Sequence, residues 1–364
     1  MIVNEEHRAD LIKIAKEYKF SAQSYPADEN GGPKEAYLEY LSLMWDPELV
    51  KIVLELPIVP KLLDIKKIAK ILNIDITKLS SKLEEPVKRG FIVKMGNFYA
   101  RPSPLQIHDA PFIFQENLDR EDIVEFANLS RDYFDGGYYR TWETRRSGTP
   151  RTRVLTVQEK IDTSHEIVPI EAVYELIDSQ TEIALLPCPC RSRREIEGNR
   201  KCKGKYPINN CMLFGMAAKI SIESGDSAIK AITKEEAKKI TIEANELGLV
   251  HMTDNTSTNA HILCQCCECC CGNLAGLTRL DNPRAIGRAN YISSIDEELC
   301  VACGTCIERC KFDAITVDDF AHVNSDKCVG CGLCAVTCPE DAITMKRFER
   351  EKIPLGRGMM RSES

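Results

Sequence analysis

Eight cysteines near the carboxyl end constrain this chain more than any other feature. Cys300, Cys303, Cys306 and Cys310 read C-x2-C-x2-C-x3-C, and Cys328, Cys331, Cys334 and Cys338, followed by Pro339, repeat that spacing at a shift of 28 residues. Three thiolates of one such loop can reach three irons of a [4Fe–4S] cube, and the fourth cysteine, expected to start a short helix, points to a second cube. The pattern predicts crossed ligand sets: Cys300, Cys303, Cys306 and Cys338 for one cluster, and Cys310, Cys328, Cys331 and Cys334 for the other. The same shift superposes Asp313-Ala314-Ile315-Thr316 on Asp341-Ala342-Ile343-Thr344. Two units too small to bury a core alone can pack around clusters that they share. Two zinc knuckles are the alternative, but zinc ligands come as two pairs split by a longer spacer.

The remaining chain is long enough for two or three domains among its 364 residues. Net charge is −7, which argues against bulk nucleic-acid binding. The charged, helical N-terminus lacks the apolar stretch of a secretory signal, and no window is apolar enough to span a membrane. A cytoplasmic location is expected, where this many cysteines serve metal or redox chemistry rather than disulfides. No dinucleotide fingerprint or Walker-type loop is present.

Residues 1–20 read as one amphipathic helix and 21–33 as a linker. Helices follow over Tyr37–Trp45, from Asp46-Pro47 to before Pro57, over Ile65–Leu72 behind an Asp64 cap, and from Asp75 or Thr77 to Gly90. Phe91–Met95 and Phe98–Ala100 flank a Gly96-Asn97 turn, a hairpin signal. Helices followed by two strands resemble a winged helix-turn-helix domain over 35–104. Its second helix offers Lys78, Ser80, Ser81, Lys82, Lys88 and Arg89 to DNA, but also Glu84 and Glu85, which repel phosphate; protein docking or structural support is the other reading. In 105–187, strands are expected at Val154–Val157 and Ile183–Leu186 and a helix at Pro169–Asp178. Arg140, Arg145, Arg146, Arg151 and Arg153 read first as a solvated, mobile segment, or else as a docking patch for an acidic partner or nucleotide-like cofactor.

Ten cysteines remain: Cys188, Cys190, Cys202 and Cys211, then Cys264, Cys266, Cys267, Cys269, Cys270 and Cys271. A helical hairpin, Met212–Ser224 and a helix from the Thr233–Glu236 capping box to Leu247, is expected to bring the two groups together. Six cysteines in eight residues are not a core pattern, and deprotonated together they repel unless cations relieve them. At least one further metal site is therefore expected here: one or two more iron–sulfur clusters, or zinc held by four cysteines or by three plus His251 or His261. A redox-active thiol or a transferable metal is a third reading.

Residues 291–347 resemble the bacterial two-cluster ferredoxin module, with one departure: Lys311 stands where that family usually has proline. The wider order of motifs is Cys188-Pro189-Cys190-Arg191, Cys202 and Cys211, Gly248-Leu249-Val250-His251, the CxCCxCCC run of 264–271, then the dicluster. Over 35–347 this resembles 4Fe-4S dicluster domain proteins of anaerobic bacteria and archaea with a winged-helix-like N-terminal part. The resemblance implies oxygen-sensitive electron transfer in an anaerobe's cytoplasm, and no substrate.

The expected fold is α+β and multi-domain: an N-terminal helix and linker (1–34), a winged-helix-like domain (35–104), a connecting α+β segment (105–187), a Cys-rich metal domain (188–290), a two-cluster ferredoxin built as a pseudo-twofold βαβ repeat (291–347) and a basic tail (348–364). Three functions compete. One is an electron-transfer subunit or adaptor passing single electrons to a redox partner protein. Another is an oxidoreductase with catalysis at the central cysteines. The third is a redox-sensing winged-helix regulator that binds DNA.

Overall fold

The computed structural model describes residues 2–18, 23–145, 147–162, 171–258, 260–350 and 353–354. It is a mixed helix-and-sheet fold. Among the described residues, no helix is long and apolar enough to cross a membrane. Arg146, the start of the helix expected at Pro169 and most of the tail beyond Arg350 lie outside the described residues.

The N-terminal part is helical because its caps and apolar stripes agree. Asp64 accepts from Lys66 N at 2.8 Å and opens Ile65–Leu72; Asn73 closes it at φ +51°. Asp75 accepts from Thr77 N and Lys78 N and opens Ile76–Lys88, which runs through Pro86. Val93–Met95 and Phe98–Ala100 pair antiparallel across the Gly96-Asn97 turn, and Leu63–Asp64 adds a third short strand. The segment after residue 104 is also helical: Pro104–Ile113 behind a Ser103–Gln106 capping box, Arg120–Ser130, a π-helical turn at Arg131–Tyr138, and Tyr139–Trp142. One core, from Leu11 through Trp45, Phe91 and Phe126 to Trp142, runs across the expected boundaries at 34 and 104.

A six-stranded antiparallel sheet forms the centre. Its spatial order is Thr152–Val154, Val250–Asp254, Ile262–Cys266, Asn209–Phe214, Ile183–Pro187, Lys230–Ala231. It takes strands from both sides of the expected boundary at 187. The helix expected from Met212 is corrected here: Asn209–Phe214 is a strand and only Gly215–Glu223 is helical. A short apolar run does not distinguish strand from helix by itself. The helix Lys234–Leu247 forms as expected, with the Thr233–Glu236 capping box at its start and Gly248 at φ +84° at its end.

The arginine segment is not solvated throughout. Arg151 and Arg153 are buried, and Arg153 donates to the buried Glu171 at 3.0 Å. Glu171 also takes Arg347 from the last strand, so one carboxylate ties the central sheet to the C-terminal unit.

In that C-terminal unit each repeat is strand–helix–strand in chain order, but its strands pair with those of the other repeat. Tyr291–Ile295 pairs antiparallel with Ile343–Arg347, and Ile315–Val317 with Ala321–Val323. The fourth cysteines follow helices rather than start them: Cys310 is the C-cap of Thr305–Arg309, and Cys338 comes one residue after Thr337, the C-cap of Leu333–Val336. The repeat is also visible in the backbone: Gly304 and Gly332 have φ of +79° and +82°, and Asp313 and Asp341 of +50° and +49°.

Candidate metal centres

The first C-terminal centre is a hollow lined by Cys300, Cys303, Cys306 and Cys338. At the second, burial and the neighbouring sulfurs of Cys334, Cys328 and Cys310 push the Cys331 thiol up. Backbone N–H groups are aimed at the sulfurs in matching places. Ala314 N donates to Cys310 Sγ at 3.4 Å and its repeat mate Ala342 N to Cys338 Sγ at 3.3 Å, while Ala321 N donates to Cys300 Sγ at 3.4 Å. Such donors offset thiolate charge, so the residues present fit a negatively charged iron–sulfur cube.

The two loops differ in surroundings. Cys303 is exposed, and Leu299, Val301 and Ile307 beside it are exposed apolar side chains. The second loop is pressed against the central sheet. Val157 N donates to Cys331 O at 3.0 Å, Thr156 Oγ1 to Gly330 O at 2.8 Å, and Ala289 N to Val329 O at 3.0 Å. A Cβ on Gly330 would collide with the Tyr291 carbonyl. Lys311, the residue in place of proline, has its ammonium 3.2 Å from Glu268 inside the central cysteine run. Its neighbour Arg309 donates to the carbonyls of Asn245 at 2.7 Å and Glu246 at 2.6 Å, the end of helix Lys234–Leu247.

The ten central cysteines fall into two sets. Cys202, Cys267, Cys269 and Cys270 have sulfurs all within 4.8 Å of one another. Cys202 Sγ lies 3.7 Å from Cys270 Sγ and 4.0 Å from Cys267 Sγ, and Cys269 Sγ lies 3.7 Å from Cys270 Sγ. The other six form a ring of thiol contacts: Cys188 to Cys190, Cys190 to Cys271, Cys271 to Cys266, Cys266 to Cys264, Cys264 to Cys211, and Cys211 back to Cys188. Contact with Cys211 and Cys266 pulls the Cys264 thiol down, and contact with Cys188 pushes Cys190 up to about 12. In the four-sulfur set, Cys267 and Cys270 pull Cys269 down to about 4.

Strand order explains the ring. Cys211 and Cys264–Cys266 lie on neighbouring strands, with Met212 opposite Leu263. Cys188 and Cys190 follow the strand Ile183–Pro187 on the other flank. Arg191 is fully buried among them, donating to Gln265 O at 2.8 Å and to Asn210, while its Nε and one terminal nitrogen have no partner. Burial opposes its charge, but the Cys188, Cys211, Cys267 and Cys266 sulfurs hold its pKa above the ordinary value. A buried cation at this place suits an anionic group on the ring.

All six ring cysteines line a cavity of about 1000 Å³, which is also lined by Val93, Lys94 and Tyr99 of the hairpin and by His108 and Asp109. Neither histidine weighed for zinc joins a cysteine set. His251 has both ring nitrogens engaged by Gln265 and Asn245, and burial lowers its pKa to about 4; His261 Nδ1 faces Asp254 at 3.4 Å. The sequence pointed to all ten cysteines but not to Arg191 or Glu268, whose roles arise only when distant segments meet.

The model of the 4Fe-4S dicluster domain matches residues 293–345. That match and the central cysteine cluster support an iron–sulfur protein with an electron-transfer role. No curated protein and no solved structure matches the chain.

Proposed function

We propose that the chain relays single electrons between an outside redox protein and an iron–sulfur centre on its central six-cysteine ring. Cys300, Cys303, Cys306 and Cys338 hold the outer cluster, and Cys310, Cys328, Cys331 and Cys334 the inner one. Bound clusters of this kind supply one-electron transfer over a potential range that the protein tunes by hydrogen bonds and burial. The observation that carries this reading is the docking of the 328–334 loop: Cys331, Val329 and Leu333 share one apolar core with Cys264, Cys266 and Cys271 of the ring. The outer loop, with exposed Cys303, Leu299 and Val301, is left for a partner. Residues 35–104 act as a winged-helix-like docking or support unit. The cations Lys82, Lys88 and Arg89 on helix Ile76–Lys88 and at its end are paired with Glu48, Glu84 and Glu85, and Ser80, Leu83 and Val87 line the cavity, which favours this over DNA contact.

Iron and sulfide analysis with EPR on the reduced, anaerobically purified chain tests the reading. About twelve irons and three interacting signals are expected, if the ring carries one cube, since each cube holds four irons. About eight irons would confine the clusters to the C-terminal unit and sink the central relay.

The cavity favours one second reading, an oxidoreductase whose substrate lies against the ring. Under it, Ile220→Trp, which narrows the cavity, lowers turnover of a small acceptor by the reduced chain and leaves the iron content unchanged.

A further inference from the structure

We propose that Cys202, Cys267, Cys269 and Cys270 form a site separate from any cluster, holding one divalent thiophilic ion, zinc, in a closed four-sulfur shell. Four sulfurs at about 2.3 Å from one zinc sit at the corners of a tetrahedron whose edge is about 3.8 Å. Three of the sulfur–sulfur separations here are 3.7, 3.7 and 4.0 Å. A cube offers each thiolate its own iron and so holds its ligand sulfurs further apart than one shared ion does. The molecule contains its own reference for that difference. The eight C-terminal cysteines, spaced for cubes, contribute no set of three or more sulfurs within 4.8 Å, and neither does the six-cysteine ring; among the described residues only this group does.

The surroundings complete the shell. Arg200 Nε donates to Cys202 Sγ at 3.5 Å, a cationic contact that offsets the excess charge of four thiolates around a dication. Arg279 donates to Glu268 O at 2.8 Å, and Cys271 N to Cys267 O at 3.1 Å, which fix the turn carrying three of the ligands. Cys202 comes from a loop far away in sequence. The ion therefore staples that loop to the turn, and the turn places Cys266 and Cys271, two members of the ring. Its role is to brace the ring rather than to carry electrons. The site is independent of the relay.

Zinc and iron analysis with zinc-edge X-ray absorption on the full chain, purified without oxygen, tests this. About one zinc per chain is expected, with sulfur at about 2.3 Å as its first shell and no iron neighbour. Cys202→Ser and Cys270→Ser should each lose most of the zinc, and Cys188→Ser, in the ring, should keep it. Retained EPR signals of the C-terminal clusters identify folded variants, and the wild-type absorption spectrum stands without any variant. A lone iron in a four-sulfur shell, lost with the same two serines, would uphold the site and change the ion. An iron neighbour in the shell, a wild-type chain with neither zinc nor lone iron, or full zinc in both serine variants would overturn it. The relay is read separately, from EPR of the reduced clusters, so either idea can fail without the other.

Discussion

The C-terminal loops and the central cysteine field are both thiol-rich, yet they are assembled by opposite means. In the loops, each repeat's geometric cues are local: three cysteines at three-residue steps, a positive-φ glycine, a short helix and a backbone N–H aimed at sulfur all fall within one short stretch. In the central field the ten cysteines come from four separate places, 188–190, 202, 211 and 264–271, and are gathered by a six-stranded sheet around a buried arginine. The local site leaves an edge exposed, as Cys303 shows; the gathered one is mostly buried, and the buried cation Arg191 offsets its charge.

The sharpest way to break that contrast is Arg191→Met. Removing a buried charge from its partners costs about 3–5 kcal/mol, and the central metal content should fall with it while the C-terminal EPR signals remain. Equal loss from both regions would mean that they are not separately built. Next in size is a pair of glycine variants within the repeat. Gly330→Ala adds a Cβ against the Tyr291 carbonyl at φ +78°, and Gly304→Ala adds one at φ +79° with nothing within 4 Å. Strain alone costs about 1–2 kcal/mol, and the collision about 1–3 kcal/mol more, so thermal melting should separate the docked loop from the free one.

Lys311→Met tests the link between the regions. The Lys311–Glu268 pair is partly exposed, so its loss should cost about 1 kcal/mol or less and fade in high salt. A denaturation series at two ionic strengths checks it. The smallest effect is a pH dependence at His251. Its folded pKa, about 4, lies below the unfolded value, so the unfolded chain binds the extra proton as pH falls from the mid-6 range toward 4, and stability is lost in that window. Between pH 7.5 and 6 this amounts to about 0.8 kcal/mol, and denaturation of His251→Gln should lack that slope.

How much the sequence revealed follows the same division. Caps at Asp64, Asp75 and Thr233, the Gly96-Asn97 turn and the cysteine repeat act over a few residues and were legible. Met212–Phe214 is expected in a helix because it heads an apolar stretch that continues to Ser224, and only the pairing of Asn209–Phe214 with Ile183–Pro187 and Ile262–Cys266 makes it strand. The burial of Arg153 depends on Glu171, and the division of ten cysteines into a ring and a closed group depends on which strands are neighbours. Neither is written in any one stretch. Lys311 shows the intermediate case: the missing proline was visible, but the carboxylate that explains the lysine was not.

Cys303 is the one exposed cysteine of the eighteen, and it sits at the outward end of the chain of sulfurs. Oxygen, peroxide or an alkylating reagent therefore meets the molecule there before anywhere else. Damage should advance from the rim inward, with the buried thiols of the central sheet the last to react.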